Sequence, residues 1–119
     1  MSIEIPRVLV VDPDQPFWAE VEHELLCIEG GHIIVPDLPE GLLQIATETY
    51  SGVIASGLGG QWESLYKRTL DLNIGFVLLS EDDEERYWAK EKGVPEFNKD
   101  TVRDEDFPAI LDLVLGRSE

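Results

Sequence analysis

The chain has 119 residues, 25 acidic against 9 basic, for a formal net charge of −16 and a pI near 4.2. That length suits one domain spanning 1–119, and 43% hydrophobic residues supply a core and argue against global disorder. The charge excludes the basic footprint that nucleic acid or an anionic membrane requires, and no apolar run approaches the roughly 18–20 residues of a membrane span. Residues 1–6 carry an acid and a proline where a secretory signal needs a basic start and an apolar stretch. With Cys27 the only cysteine, no internal disulfide can form, and a cytoplasmic setting is expected.

In chain order, short apolar runs alternate with helical patterns. Val8, Leu9, Val10 and Val11 form an uninterrupted, β-branched run, as expected of a strand covered on both faces. Asp12-Pro13-Asp14 breaks it. Phe17, Val21, Leu25 and Ile28 then recur at helical spacing until Gly30-Gly31. Ile33, Ile34 and Val35 make a second strand, after which Asp37 reads as a cap and Pro39 opens a helix with Leu42, Ile45, Ala46 and Thr49 on one face. Gly52, Val53, Ile54 and Ala55 form strand three, and residues 57–60 a flexible glycine-rich loop. Trp62, Leu65, Tyr66 and Thr69 follow with helical period, then strand four over 74–79, ending at Ser80. Residues 81–92 read as a helix with acids leading and lysines trailing, as the macrodipole prefers. Residues 93–97 are a weak fifth strand that Pro95 assigns to a sheet edge. Phe107, Ile110, Leu111, Val114 and Leu115 close the chain with its clearest amphipathic helix.

Five such alternations imply a doubly wound α/β domain, a five-stranded parallel sheet with helices on both faces. Ligands in such sheets bind at the carboxyl ends of the strands. A dinucleotide site would need glycines after strand one, where this chain has two acids and two prolines, and no Walker A sequence is present.

Val8-Leu9-Val10-Val11-Asp12, the five-fold alternation and a lysine after strand five resemble the receiver domain of two-component response regulators, over residues 7–115. The resemblance implies a flavodoxin-like fold. In that family two adjacent acids after strand one hold Mg²⁺, an Asp ending strand three accepts a phosphoryl group, and a Ser/Thr ending strand four and a Lys after strand five bind it. Asp12 fits the first acid, Ser80 the hydroxyl and Lys99 the lysine. Lys99 lies six residues after Gly93 where the family usually has seven, and Asp100 replaces the usual following proline. Pro13 stands at the second acid, with Asp14 displaced by one, and Phe97 lies near the family's switch aromatic. Ser56 stands at the phosphoacceptor position, and no Asp or Glu occurs between Glu48 and Glu63.

A serine there needs a general base where a carboxylate is already nucleophilic, so Ser56 is expected to cap the next helix or satisfy a loop amide. With two of three carboxylates gone, Asp12 and Asp14 are expected to bind Mg²⁺ weakly and without function, and no cofactor is expected. His23 and His32 fall on different elements, too few for a zinc site, and Cys27 reads as a buried structural thiol. The acids at 81–85 read as a solvated helix start. Tyr87, Trp88 and Ala89 are the only apolar residues of that helix and cannot share one narrow stripe. Tyr87, with Trp88 and Phe97, is therefore the candidate contact for a partner.

The resulting expectation is a non-enzymatic pseudo-receiver, free-standing or part of a longer protein, signalling through contact with another signalling protein whose surface is basic. Two alternatives stay open: a receiver phosphorylated at Ser56, Asp12 or Asp14, and a flavodoxin-like domain binding a small ligand.

Overall fold

A computed structural model describes residues 5–116, so residues 1–4 of the segment compared with a signal peptide lie outside the described residues. Five strands, β1 (Val8–Val11), β2 (His32–Val35), β3 (Gly52–Ala55), β4 (Gly75–Ser80) and β5 (Glu96–Asn98), pair in parallel in the order β2-β1-β3-β4-β5. The helices are α1 (Gln15–Val21), α2 (Leu38–Thr47), α3 (Trp62–Leu72), α4 (Asp83–Glu91) and α5 (Phe107–Val114). This is the flavodoxin-like doubly wound order, and its switch point lies between β1 and β3. Among the described residues, no helix is long and apolar enough to cross a membrane.

The continuous apolar runs follow from two-sided burial. Successive strand residues point to opposite faces, so Val8, Val10, Ile54, Val77 and Leu79 join Trp18, Leu25, Phe107 and Ile110 beneath α1 and α5. Leu9, Val11, Val53, Phe76 and Leu78 join Ile45, Trp62, Leu65 and Ala89 beneath α2, α3 and α4. β5 is an edge strand, and Pro95 precedes it, leaving its carbonyl to accept from the Leu78 amide at 3.0 Å.

Local chemistry moves several boundaries. Asp37 accepts from the Glu40 amide, so α2 begins at Leu38, and Thr49 falls beyond its end. The first helix is not continuous: α1 stops at Val21 and a 3₁₀ turn covers Glu22–Leu25. Leu25 and Ile28 are still buried, but Cys27 is exposed, correcting the buried thiol expected above, since at about 100° per residue it points well away from the face that holds them. The face of α1 is also out by one residue, for Trp18 is buried and Phe17 only partly. The loop at 57–60 contains a 3₁₀ turn, Leu58–Gly60, in which Leu58 itself takes φ 52. Strand five starts at Glu96, because Gly93 turns the chain at φ 77.

Gly52 and Gly75 are paired across β3 and β4, and a Cβ on either would overlap the Val114 carbonyl at the end of α5. Gly52→Ala and Gly75→Ala should each cost about 1–3 kcal/mol, since backbone cannot yield as a side chain can. Urea denaturation measures this, and an unchanged midpoint would show that α5 sits loosely on the sheet.

Candidate functional site

The strand ends are organised around Asp12. It directly follows β1, is 3% exposed, and its amide continues the ladder to the Val35 carbonyl. Pro13 tightens the turn, so that the Asp14 amide donates to Asp12 Oδ1 at 3.0 Å. Asp14 in turn caps α1 by accepting from the Phe17 amide. One turn into α1, Trp18 Nε1 donates to Asp12 Oδ2 at 2.9 Å. Lys99, directly after β5, brings Nζ to 2.7 Å from Asp12 Oδ2 and 2.9 Å from Asp14 Oδ2, above the Phe17 ring.

Burial pulls the Lys99 ammonium toward a lower pKa, but hydrogen bonds and charge from Asp12 and Asp14 outweigh it and hold it above its ordinary value. The hydrogen bond from Lys99 likewise holds the Asp14 carboxyl below its usual range. Both groups therefore stay charged at neutral pH.

The other half of the cleft has a different anion. Ser56 follows β3, its amide bonding the Val11 carbonyl, and it lines the cleft with Asp12, Lys99 and Ser80. It caps no helix, the first of the two roles expected of it: Gly57 precedes the 3₁₀ turn and Gln61 precedes α3, and neither end has a side-chain cap. The Ser80 hydroxyl accepts from the Asp82 amide and donates to Glu85 Oε1 at 2.7 Å. Asp82 caps α4 through the Glu84 and Glu85 amides, so the acidic run is a helix start as read. Glu85 departs from it, turning inward while Glu81, Asp82, Asp83 and Glu84 stay exposed.

These residues fit a divalent cation poorly. Pro13 offers no side-chain oxygen, both Asp12 oxygens already hold donors, and an ammonium lies between Asp12 and Asp14. Among the described residues, one trio of acid or histidine side chains has ligand atoms converging within 4.8 Å, His23, Glu24 and Asp104 on the exposed surface. His32 is elsewhere, bonded to Glu22.

The structure thus brings Asp12, Pro13, Asp14, Ser56, Ser80 and Lys99 to one cleft. Tyr87 and Trp88 are 56% and 53% exposed and meet edge to face at 5.5 Å between ring centres. Phe97 is half-buried against the α1/α5 layer, so it does not join them in one patch. Sequence reading missed Trp18 and Glu85. The spacing of Glu85 to the buried Ala89, one helical turn later, is the signal that could have found the latter.

No protein-family model matches the chain, and no curated protein matches it by sequence. Solved structures do match, receiver domains among them. A signal receiver domain of an HD domain-containing protein from Pseudomonas fluorescens Pf-5 superposes with a TM-score of 0.77 at 17% identity, covering 98% of this chain and 92% of that one. A CheY-like response regulator receiver domain from Methanospirillum hungatei JF-1 gives 0.73 at 17% identity, with 96% of each chain covered. A two-component response regulator from Clostridium difficile gives 0.70 at 18%, covering 94% and 97%. The fold is that of receiver domains.

Lys99→Met leaves Asp12 buried with its charge unpaired and should destabilise by about 3 kcal/mol in urea titrations at pH 7. The depressed Asp14 pKa means its contribution is complete above its ordinary value near 3.8 and is lost as pH falls through the lower folded value. The raised Lys99 pKa means its contribution is complete below 10.5 and is lost as pH climbs through the higher folded value. The parent's advantage over Lys99→Met should accordingly be flat from about pH 5 to pH 9 and shrink outside. A variant as stable as the parent at pH 7 would show the pair to be dispensable.

Proposed function

We propose that this chain is a receiver-type signalling domain that works without aspartyl phosphorylation, by contact with another protein, and that it is not an enzyme. The observation that carries the reading is Ser56 at the end of β3, in a stretch with no acidic residue from 49 to 62. The lysine that the family directs at a phosphoryl group is here committed to Asp12 and Asp14. Mg²⁺ has no functional part in this reading, and a cytoplasmic setting is part of it. Incubation with a small acyl phosphate and Mg²⁺, followed by mass spectrometry at neutral pH, should return only unmodified protein. An acid-stable adduct on Ser56, or a labile one on Asp12 or Asp14, would establish the active-receiver alternative instead. In the same sample, an NMR titration should show no saturable Mg²⁺ shift at Asp12 or Asp14 below the millimolar range.

The output surface is the outward face of α4, where Tyr87 and Trp88 stand among Asp83, Glu84, Lys90 and Glu91. Exposed aromatics are the residues on which interface energy concentrates, and the acids around them suit a partner with a basic rim. Once a partner is in hand, Tyr87→Ala should weaken binding by about 1–3 kcal/mol with the fold intact, and association should slow as salt rises. Unchanged affinity together with salt-independent association would remove this face from consideration.

A further inference from the structure

We infer that Glu85 is a built-in ligand of the strand-end cleft, a carboxylate carried by α4 that bridges the ends of β3 and β4 and thereby sets the position of the helix. Three observations converge on it. Glu85 Oε1 accepts from the Ser80 hydroxyl at 2.7 Å, and that hydroxyl is itself oriented by the Asp82 amide at 3.0 Å. From the β3 side, the same carboxylate lies against Gly57 so closely that a Cβ there would overlap Oε1, Cδ and Oε2 together. Gly57 has φ −68, so its backbone does not demand glycine; what it provides is the space that the carboxylate fills. The third observation is how little else seats the helix. Of α4's residues only Ala89 is buried, one turn after Glu85 on the same face, and the half-buried Arg86 pairs with Asp83 of its own helix. The ion pair from Lys92 to Glu63 is half exposed on both sides, a kind of contact that fixes little.

The side chain also breaks the usual habit of its position. Glu85 is the third residue of α4, where a glutamate commonly folds back onto the amide of its own cap residue. Here it reaches past the cap residue, Asp82, to a hydroxyl at the end of β4. A hydrogen bond to a charged acceptor, shielded inside a cleft, is stronger than a neutral one in water. Its hold passes directly to Tyr87 and Trp88, two and three residues further along the same short helix. That last step rests on the proposed output surface; the bridge itself does not.

Hydrogen exchange of the whole chain, resolved by residue, tests the bridge. Glu85→Ala should speed exchange of the α4 amides about tenfold while β1 and β3 stay as protected as in the parent. Gly57→Ala, which places a methyl where the carboxylate sits, should do the same, yet add nothing in the Glu85→Ala background. Glu85→Gln keeps an acceptor for Ser80 and should restore most of the protection. Unchanged α4 exchange in Glu85→Ala, effects of the two alanines that simply add, or a loss of protection shared equally by β1 and β3 would each overturn the inference. Partner affinity separates it from the functional reading. If α4 loosens as described while binding is indifferent to Tyr87→Ala, the bridge stands and the output surface falls.

Discussion

A buried ion pair between residues 87 positions apart constrains everything at the working end of this sheet. Asp12 and Lys99 have side chains only 2% and 7% exposed, so both charges have left water. That desolvation costs several kcal/mol per ion and is offset only where the remaining lone pairs and protons find partners. The partners are specific. Trp18 supplies an indole donor, the Asp14 amide a second, and the Asp14 carboxylate shares the ammonium. Because Asp12 follows β1 and Lys99 follows β5, the pair closes over the ends of β3 and β4 that lie between them. A buried pair of this kind is a weak source of net stability, but it penalises any arrangement in which one member is left alone. It fixes where α1 must begin and how the segment after β5 must turn.

The same accounting governs the rest of the cleft. In the family that this chain resembles, a lysine and a hydroxyl are held ready for an incoming phosphoryl group. Here the Lys99 protons face Asp12 and Asp14, and the Ser80 proton faces Glu85. The donors are satisfied from within the chain, and an anion entering the cleft would meet Asp12, Asp14, Glu81, Asp82 and Glu85 as well as the single ammonium. On the proposed reading, electrostatics favour these internal contacts over recruitment of an anion.

What the sequence made legible was whatever burial on two faces imposes. Runs such as Val8 to Val11 and Val77 to Leu79 are apolar throughout because helices cover both sides, and that pattern needs no tertiary information. Strand ends follow from it, and so did the convergence of Asp12, Ser80 and Lys99, since parallel strands deliver their carboxyl ends to one edge. Phase within a helix was harder. Phe17 and Trp18 are both aromatic, and only the pairing of the Trp18 indole with Asp12 decides which faces inward. Cys27 is a related case: at about 100° per residue it points well away from the face of Leu25 and Ile28, and standing next to a buried residue does not bury it. Glu85 was hidden by its company. Within a run of acids each looks solvated, and its inward turn depends on Gly57, in the loop after β3 and 28 residues earlier, leaving room.

The exposed aromatic pair on α4 raises the remaining energetic question. A helix that buries one alanine while leaving a tyrosine and a tryptophan more than half in water has kept its largest apolar groups off its own core. Single exposed apolar residues need no explanation, yet two rings meeting edge to face on neighbouring positions make one apolar patch. Ordering side chains at an interface ordinarily opposes binding, and aromatic rings, with few rotatable bonds, lose less on ordering than long flexible side chains do. The carboxylates beside them would be costly at the centre of a contact and useful at its edge, where they steer an oppositely charged surface without being desolvated. On the proposed reading, the rings would meet an apolar spot on the partner and the acids its basic surround. The polar anchor at Glu85 suits the same arrangement, because it holds the helix without using up the apolar surface that the contact needs.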